Sequence, residues 1–432
     1  MARRKSSIVS LFSGALGLDL GLEQAGFEVR VAVECDKFAA ETIRQNRPDL
    51  PVLEKRIEEL TTEQILRAAG LRKGEPTIIT AGPSCQAFST LGSRGSVSDP
   101  QGMLFRHFLR VVREARPRFF VMENVKGVLS AAIKHRPLSQ RGPGFPALGS
   151  DEELGSAFLL ILKELQTLGY YVTFDVVNAA DYGVPQTRER VLFIGSRDGE
   201  RVTIPRATHS RDARIGELPW VTLRKGLKGL RDRNPQTLAL TPSTKKYLAL
   251  IPAGGNWRSL PRRMQKKALG AAFDSWGGRS GFLRRLGWKR PCPALTTVPD
   301  GKATMMCHPK KLRVLSVREY SRIQQFPDSW VFSGGLPQQY RQVGNAVPPG
   351  IGKAVGRMLK TTMKRNRPGS VKHTLVCASD DLIRRISERP KTILNPIRMR
   401  KVKSTKASAK WMSKSNGRRS EILKYASNRR VA

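Results

Sequence analysis

The chain has 432 residues, 39% hydrophobic and 26% charged, enough for one large domain and a smaller one, each with its own core. With 77 Lys and Arg against 35 Asp and Glu the net charge is +42 and the pI about 11.0, a surface that attracts polyanions and points to nucleic acid. Apolar runs fall short of the ~20 residues of a membrane span, the start lacks a signal-peptide pattern, and five scattered cysteines (Cys35, Cys85, Cys292, Cys307, Cys377) outline neither a disulfide framework nor a zinc site.

In chain order, strands are predicted over residues 7–12, 29–33, 77–81, 118–122, 171–177 and 190–195. Helices alternate with them over about 16–25, 37–45, 62–69, 103–114 and 152–168. Repeated strand–helix–strand units imply an α/β fold, a mostly parallel, doubly wound sheet covered on both faces with right-handed crossovers. Residues 203–290 break the pattern. This stretch is rich in Arg, Lys, Gly and Pro, carries Trp220, Trp257, Trp276 and Trp288, and reads as an irregular basic module. Regular structure returns with a helix near 316–325, where Ser316 and Glu319 have capping-box spacing, and a last helix near 349–360. Residues 361–432 hold 20 Lys and Arg against 4 Asp and Glu. They read as a basic arm, with helical periodicity over 380–387 as the alternative.

In an open parallel sheet, ligands bind beyond the carboxyl ends of the strands. Four polar features fall there. Ser13-Gly14-Ala15-Leu16-Gly17 follows the first strand, and Glu34 ends the second, 20 residues after Gly14. Glycines let a ligand approach the backbone, and an acidic residue at that place suits ribose hydroxyls, so the pair describes an adenosine-containing cofactor. The third feature, Gly82-Pro83-Ser84-Cys85-Gln86, puts a thiol in a turn at a sheet edge, and the fourth is Glu123-Asn124, with Arg188 and Arg190 on a neighbouring element. Taken singly, each reads as a tight turn or a buried structural thiol; their convergence on one crevice argues for chemistry.

These residues resemble the cytosine-C5 DNA methyltransferases across about residues 7–360. The blocks occur in the family's order: Leu11-Phe12-Ser13-Gly14, Glu34-Cys35-Asp36, Gly82-Pro83-Ser84-Cys85-Gln86-Ala87-Phe88-Ser89, Glu123-Asn124-Val125, Gln186-Thr187-Arg188-Glu189-Arg190, Arg318-Glu319 with Gln325-Phe326-Pro327-Asp328, and Gln342-Val343-Gly344-Asn345-Ala346-Val347-Pro348. The resemblance implies a Rossmann-like domain that takes S-adenosylmethionine as methyl donor. Phe12, Gly14 and Gly17 would line its pocket, Glu34 would hold its ribose, and Leu104 and Asn345 are similar to further cofactor contacts. Cys85 would be the nucleophile at C6 of a flipped-out cytosine. Glu123, kept protonated by burial, would donate at N3, Arg190 would hold O2 with Arg188 in support, and the base for the C5 proton stays unassigned. The segment from Gln86 to Gln101 is similar to the family's mobile catalytic loop.

Departures from the family pattern are Ser84 before the nucleophile in place of proline, Leu16 for a glycine in the cofactor turn, and Arg56 where an aspartate usually faces the adenine. Gln101 replaces a common arginine, and residues 127–149 look like an inserted surface loop. The expected domains are 1–202 (catalytic and cofactor-binding), 203–290 (target recognition), 291–360 (a return segment completing the large domain) and 361–432 (basic tail). Arg258, Arg279, Arg284 and Arg285 are candidate base readers, each with a phosphate contact or solvent exposure as the plainer role. The implied partner is double-stranded DNA, with no metal and no membrane. The protein would be a monomer in a prokaryotic cytoplasm, protecting host DNA from a separately encoded restriction endonuclease. A tRNA methyltransferase of related type and a catalytically silent DNA-binding relative are the competing readings. The size of the basic module argues against the first, and intact Cys85, Glu123 and Arg190 against the second.

Overall fold

The computed structural model describes residues 6–83, 104–134, 136–137, 140–141, 144–274, 280–364 and 375–378. In chain order the first elements are β1 (Ser6–Leu11), α1 (Gly17–Gln24), β2 (Phe27–Val33), α2 (Lys37–Asn46), β3 (Val52–Leu53), α3 (Thr62–Ala68), β4 (Ile78–Ala81), α4 (Leu104–Ala115) and β5 (Phe119–Val125). They are followed by α5 (Ser156–Leu165), β6 (Tyr171–Asn178), β7 (Gln186–Thr187) and β8 (Glu189–Ser196). Helix α5 is shorter than its apolar pattern suggests, because Gly155 turns left-handed (φ 87°) and starts it late.

Eight strands form one sheet in the order β12-β6-β8-β5-β4-β1-β2-β3, where β12 (Leu375–Ala378) comes from the far end of the chain. All pairings are parallel except those of β8, which runs antiparallel to both β5 and β6. Alternate residues of each strand face opposite cores. Val9, Ile79, Phe120, Met122 and Phe193 pack under α3, α4 and α5, whereas Ile8, Ile78, Phe119, Val121 and Ile194 pack under α1 and α11 (Pro349–Met363).

The basic module is not structureless. It contains β9 (His209–Ser210), β10 (Leu218–Pro219), α6 (Leu223–Gly226), α7 (Pro242–Ala249) and α8 (Arg262–Leu269). Trp257 lies in a small core with Leu248, Leu260 and Leu269 that also takes in Met305, Cys307 and Val314, so the module's packing runs past residue 290. The chain then returns through β11 (Cys292–Pro293), paired with β7, to α9 (Val317–Ile323) and α10 (Leu336–Asn345). The capping box of α9 forms as its spacing predicts, with Ser316 Oγ accepting from Glu319 N and the Glu319 carboxylate accepting from Ser316 N. Helix α10 was not visible as a periodic pattern, because its Leu336-Pro337-Gln338-Gln339 start is mostly polar.

Two expectations change here. The 127–149 segment is not wholly a surface loop: Val128 and Leu129 are buried in the main core. Nor are residues 361–432 only an arm, since α11 continues to Met363 and β12 extends the sheet beside β6. Residues 380–387 lie outside the described ones.

Candidate active site

Sheet register builds the site. Leu11 of β1 pairs with Val33 of β2 and with Ala81 of β4, and Ala81 pairs with Met122 of β5. The next residue on each strand is therefore in one row at the carboxyl edge: Phe12, Glu34, Gly82 and Glu123. Strand order reverses at β1, which makes this edge the crevice where open α/β sheets bind ligands.

At one end of the row the turn after β1 is tightly wound. Phe12, Gly14 and Leu16 all have left-handed backbones (φ 53°, 51° and 64°). For Leu16, which replaces the glycine usual at that place, this conformation costs on the order of 1 kcal/mol. Its fully buried side chain, packed with Ala15, Leu20 and Ile323, offsets the cost. A side chain at Gly14 would meet nothing within 4 Å, so space is open beside its backbone. Glu34 accepts from Gly14 N (2.7 Å) and Asp36 N (2.8 Å), and burial raises its pKa against those bonds. Gly17 faces inward instead: a Cβ there would overlap the Val347 carbonyl oxygen. Leu104 is half-buried at the start of α4, and Asn345 is exposed at the end of α10. Arg56 is exposed and pairs with Glu58 at 3.3 Å.

At the other end, Glu123 is buried and its carboxylate meets Arg190 Nε at 2.6 Å. Burial raises the Glu123 pKa, and the charges of Arg190 and Arg188 oppose but do not cancel that rise. Arg190 reaches Glu123 because β8 is antiparallel. Arg190 pairs with Val125, which puts the beginning of β8 at the carboxyl edge of β5. A parallel β8 would have carried it to the opposite edge.

Arg188 does something the sequence did not suggest. Its guanidinium donates to the carbonyls of Leu295 (3.0 Å) and Gly344 (2.6 Å), fastening the return segment to the site. Gln186 adds a buried amide relay: it accepts from Leu295 N and donates to Gln324, which in turn donates to the carbonyls of Val343 and Ala346. Sequence reading passed over Gln324, although a glutamine on the inner side of a helix end was a usable signal.

Cys85, Ser84 and the 86–101 segment lie outside the described residues, as do Arg279 and Trp276. The chain enters that segment from β4 through Gly82, where a Cβ would be 3.5 Å from Glu123 Oε2. Two of the candidate base readers are corrected. Arg284 donates to the Met305 carbonyl, and Arg285 donates to the carbonyls of Leu248, Ile251, Pro309 and Lys310. Both tie loops of the module together. Arg258 is exposed and stacks 4.8 Å over the Trp257 ring.

The family profile of C-5 cytosine-specific DNA methylases matches residues 6–361. The chain belongs to this family. The type II methyltransferase M.Sau96I of Staphylococcus aureus is 35% identical over 363 residues, covering 82% of this chain and 75% of that protein. M.PspPI of Psychrobacter sp. (strain TA137), also a type II methyltransferase, is 36% identical over 376 residues, covering 84% and 81%. The crystal structure of a candidate DNA modification methyltransferase encoded within an E. coli prophage gives a TM-score of 0.55 at 25% identity, over 83% of this chain and 99% of that one. The protein is thus a DNA (cytosine-5-)-methyltransferase with an α/β fold, and its family implies a methyl donor of the S-adenosylmethionine type and a DNA substrate. Among the described residues of the methylase, no helix is long and apolar enough to cross a membrane.

Proposed function

We propose that the methylase is a type II modification enzyme. It methylates C5 of cytosine in one duplex DNA sequence through a covalent Cys85 adduct on a flipped-out base, and so protects host DNA from a separately encoded restriction endonuclease. It acts as a monomer in a prokaryotic cytoplasm, with target recognition in the 203–290 module. The observation that carries this reading is the row of Phe12, Glu34, Gly82 and Glu123 on one sheet edge, with Arg190 paired to Glu123.

The open space beside Gly14 and the half-buried Glu34 carboxylate fit an adenosine-type ligand with ribose hydroxyls. S-adenosylmethionine would be held there by Phe12, Gly14, Glu34, Leu104 and Asn345 and would supply an electrophilic methyl group. The chain's own groups make C5 nucleophilic. The Cys85 thiolate adds to C6, and the ring's electron pair shifts toward N3 and C5. Glu123, whose burial favours its protonated form, gives a proton at N3. Arg190 holds Glu123 and orients O2, and Arg188 keeps the return segment closed behind them. Once C5 carries the methyl group, loss of the C5 proton to a base restores the C5–C6 double bond and expels the thiolate, and the N3 proton returns to Glu123.

The test uses labelled S-adenosylmethionine with duplex DNA or tRNA. Wild type should label duplex DNA, Cys85→Ala should label nothing, and Glu123→Gln should lose about 10²–10⁴-fold in rate. Equal transfer by wild type and Cys85→Ala overturns the nucleophile assignment, and transfer to tRNA alone overturns the DNA reading. Sequencing DNA of an expressing host for 5-methylcytosine gives the recognition site.

A further inference from the structure

Away from the strand ends, a groove of about 980 Å³ runs between α11 and the segment that leads from β8 into the basic module. Its floor is narrow-bodied: Gly350 and Ala354 occupy successive turns of α11. Its walls carry Arg201, Arg206, Arg322, Lys353 and Arg357, and no Asp or Glu lines it. Arg322 is neutralised by Asp328 at 2.7 Å. The other four cations have no acidic partner among the described residues, unlike Arg44, Arg47, Arg118, Arg136 and Arg313, each of which has one. Lys353 and Arg357 are one helical turn apart on the same face, and Arg201 and Arg206 oppose them. Thr203 is exposed at the groove and adds a hydroxyl, whereas the hydroxyls of Thr208 and Thr361 donate to the carbonyls of Asp181 and Arg357.

Uncompensated like charges held around one concavity repel one another, and an anion of matching spacing relieves that cost. The chain's own basic tail cannot do so. Arginines and a lysine suit phosphates more than bases; of the rings that line the groove, Phe326 is buried, and Tyr182 and His209 are half-buried, with the Tyr182 hydroxyl donating to the Pro205 carbonyl. We propose that this groove binds the phosphate backbone of duplex DNA outside the recognition site, as a sequence-independent anchor. The proposal rests on the methylase reading only for its ligand, DNA.

The test compares wild type with Arg201→Ala/Lys353→Ala/Arg357→Ala in the full chain. Two duplexes carry the site found by sequencing: one trimmed to the site, the other with long flanks of random sequence. For wild type, flanks should tighten binding, and the salt slope should be steeper on the long duplex. The variant should lose that gain, with its slope on the long duplex reduced by about 2–3, since each phosphate contact contributes about 0.9. Methylation of the trimmed duplex at saturating enzyme should stay unchanged, which also shows that the variant is folded and separates this proposal from the catalytic assignment. An equal flank effect and salt slope in both proteins overturn the proposal. So does competition from the groove by single-stranded RNA but not by duplex DNA.

Discussion

Asp19 sits 3% exposed in the first turn of α1, directly behind the cofactor turn, and among the described residues it has no cation for a partner. Ser10 Oγ and Thr80 Oγ1 donate to its two oxygens at 2.8 and 2.7 Å, linking β1, α1 and β4. Burial outweighs those bonds and raises its pKa from 3.8 to about 6. A carboxyl whose folded pKa is raised disfavours the folded state once it must ionise. Stability is therefore greatest below about 4 as far as Asp19 is concerned, and is lost as pH rises through about 6, by a total on the order of 3 kcal/mol. Glu34 and Glu123 shift in the same direction and act with the same sign. Urea unfolding of wild type and Asp19→Asn across this range should show a shallower pH slope for the variant; an unchanged slope would refute the assignment. Such residues are legible in the sequence as type but not as state. The burial of Glu123 was expected because the family resemblance requires it to donate a proton at N3, whereas the role of Arg188 as a clamp on Leu295 and Gly344 depends on carbonyls more than 100 residues away.

Among the elements, α1 and α11 show what small residues accomplish. A Cβ on Gly21 would overlap the Pro349 carbonyl oxygen, and one on Gly352 would overlap that of Leu18, so the two helix backbones touch. Alanine in a helix is ordinarily favoured over glycine by about 1 kcal/mol. Here overpacking reverses the sign. Gly21→Ala should lower stability by about 1–3 kcal/mol and should lower cofactor affinity as well, because the cofactor turn caps the same helix. Thermal unfolding with and without S-adenosylmethionine checks both, and a stabilised variant would show that the helices can part at no cost. The strands and the first helices were readable because their apolar residues repeat within a few positions of one another. Helix α10 and the small helices of the basic module were not, since their faces are defined by neighbours rather than by their own period.

For the whole molecule, charge and topology meet at the C-terminus. Ending the chain after Ala378 removes basic residues while leaving β12, so the salt dependence of DNA binding should flatten with little change in melting temperature. Ending it after Lys364 also removes β12 and bares the edge of β6 and the site of buried Val376, so melting temperature should fall too. Filter binding over a salt series and thermal melts of the two truncations separate these effects; equal melts would show that β12 adds nothing. By itself the sequence determined the α/β alternation, the order of the motif blocks and the polar groups at strand ends, because each is written in residues a few positions apart. Only the tertiary structure decided that β8 runs backwards and delivers Arg190 to Glu123, and that Gln186 and Gln324 join segments 138 residues apart. The structure also made Arg284 and Arg285 ties within the module rather than readers of DNA. Those outcomes depend on which distant carbonyls, carboxylates and strand edges are left to be satisfied once the chain has packed.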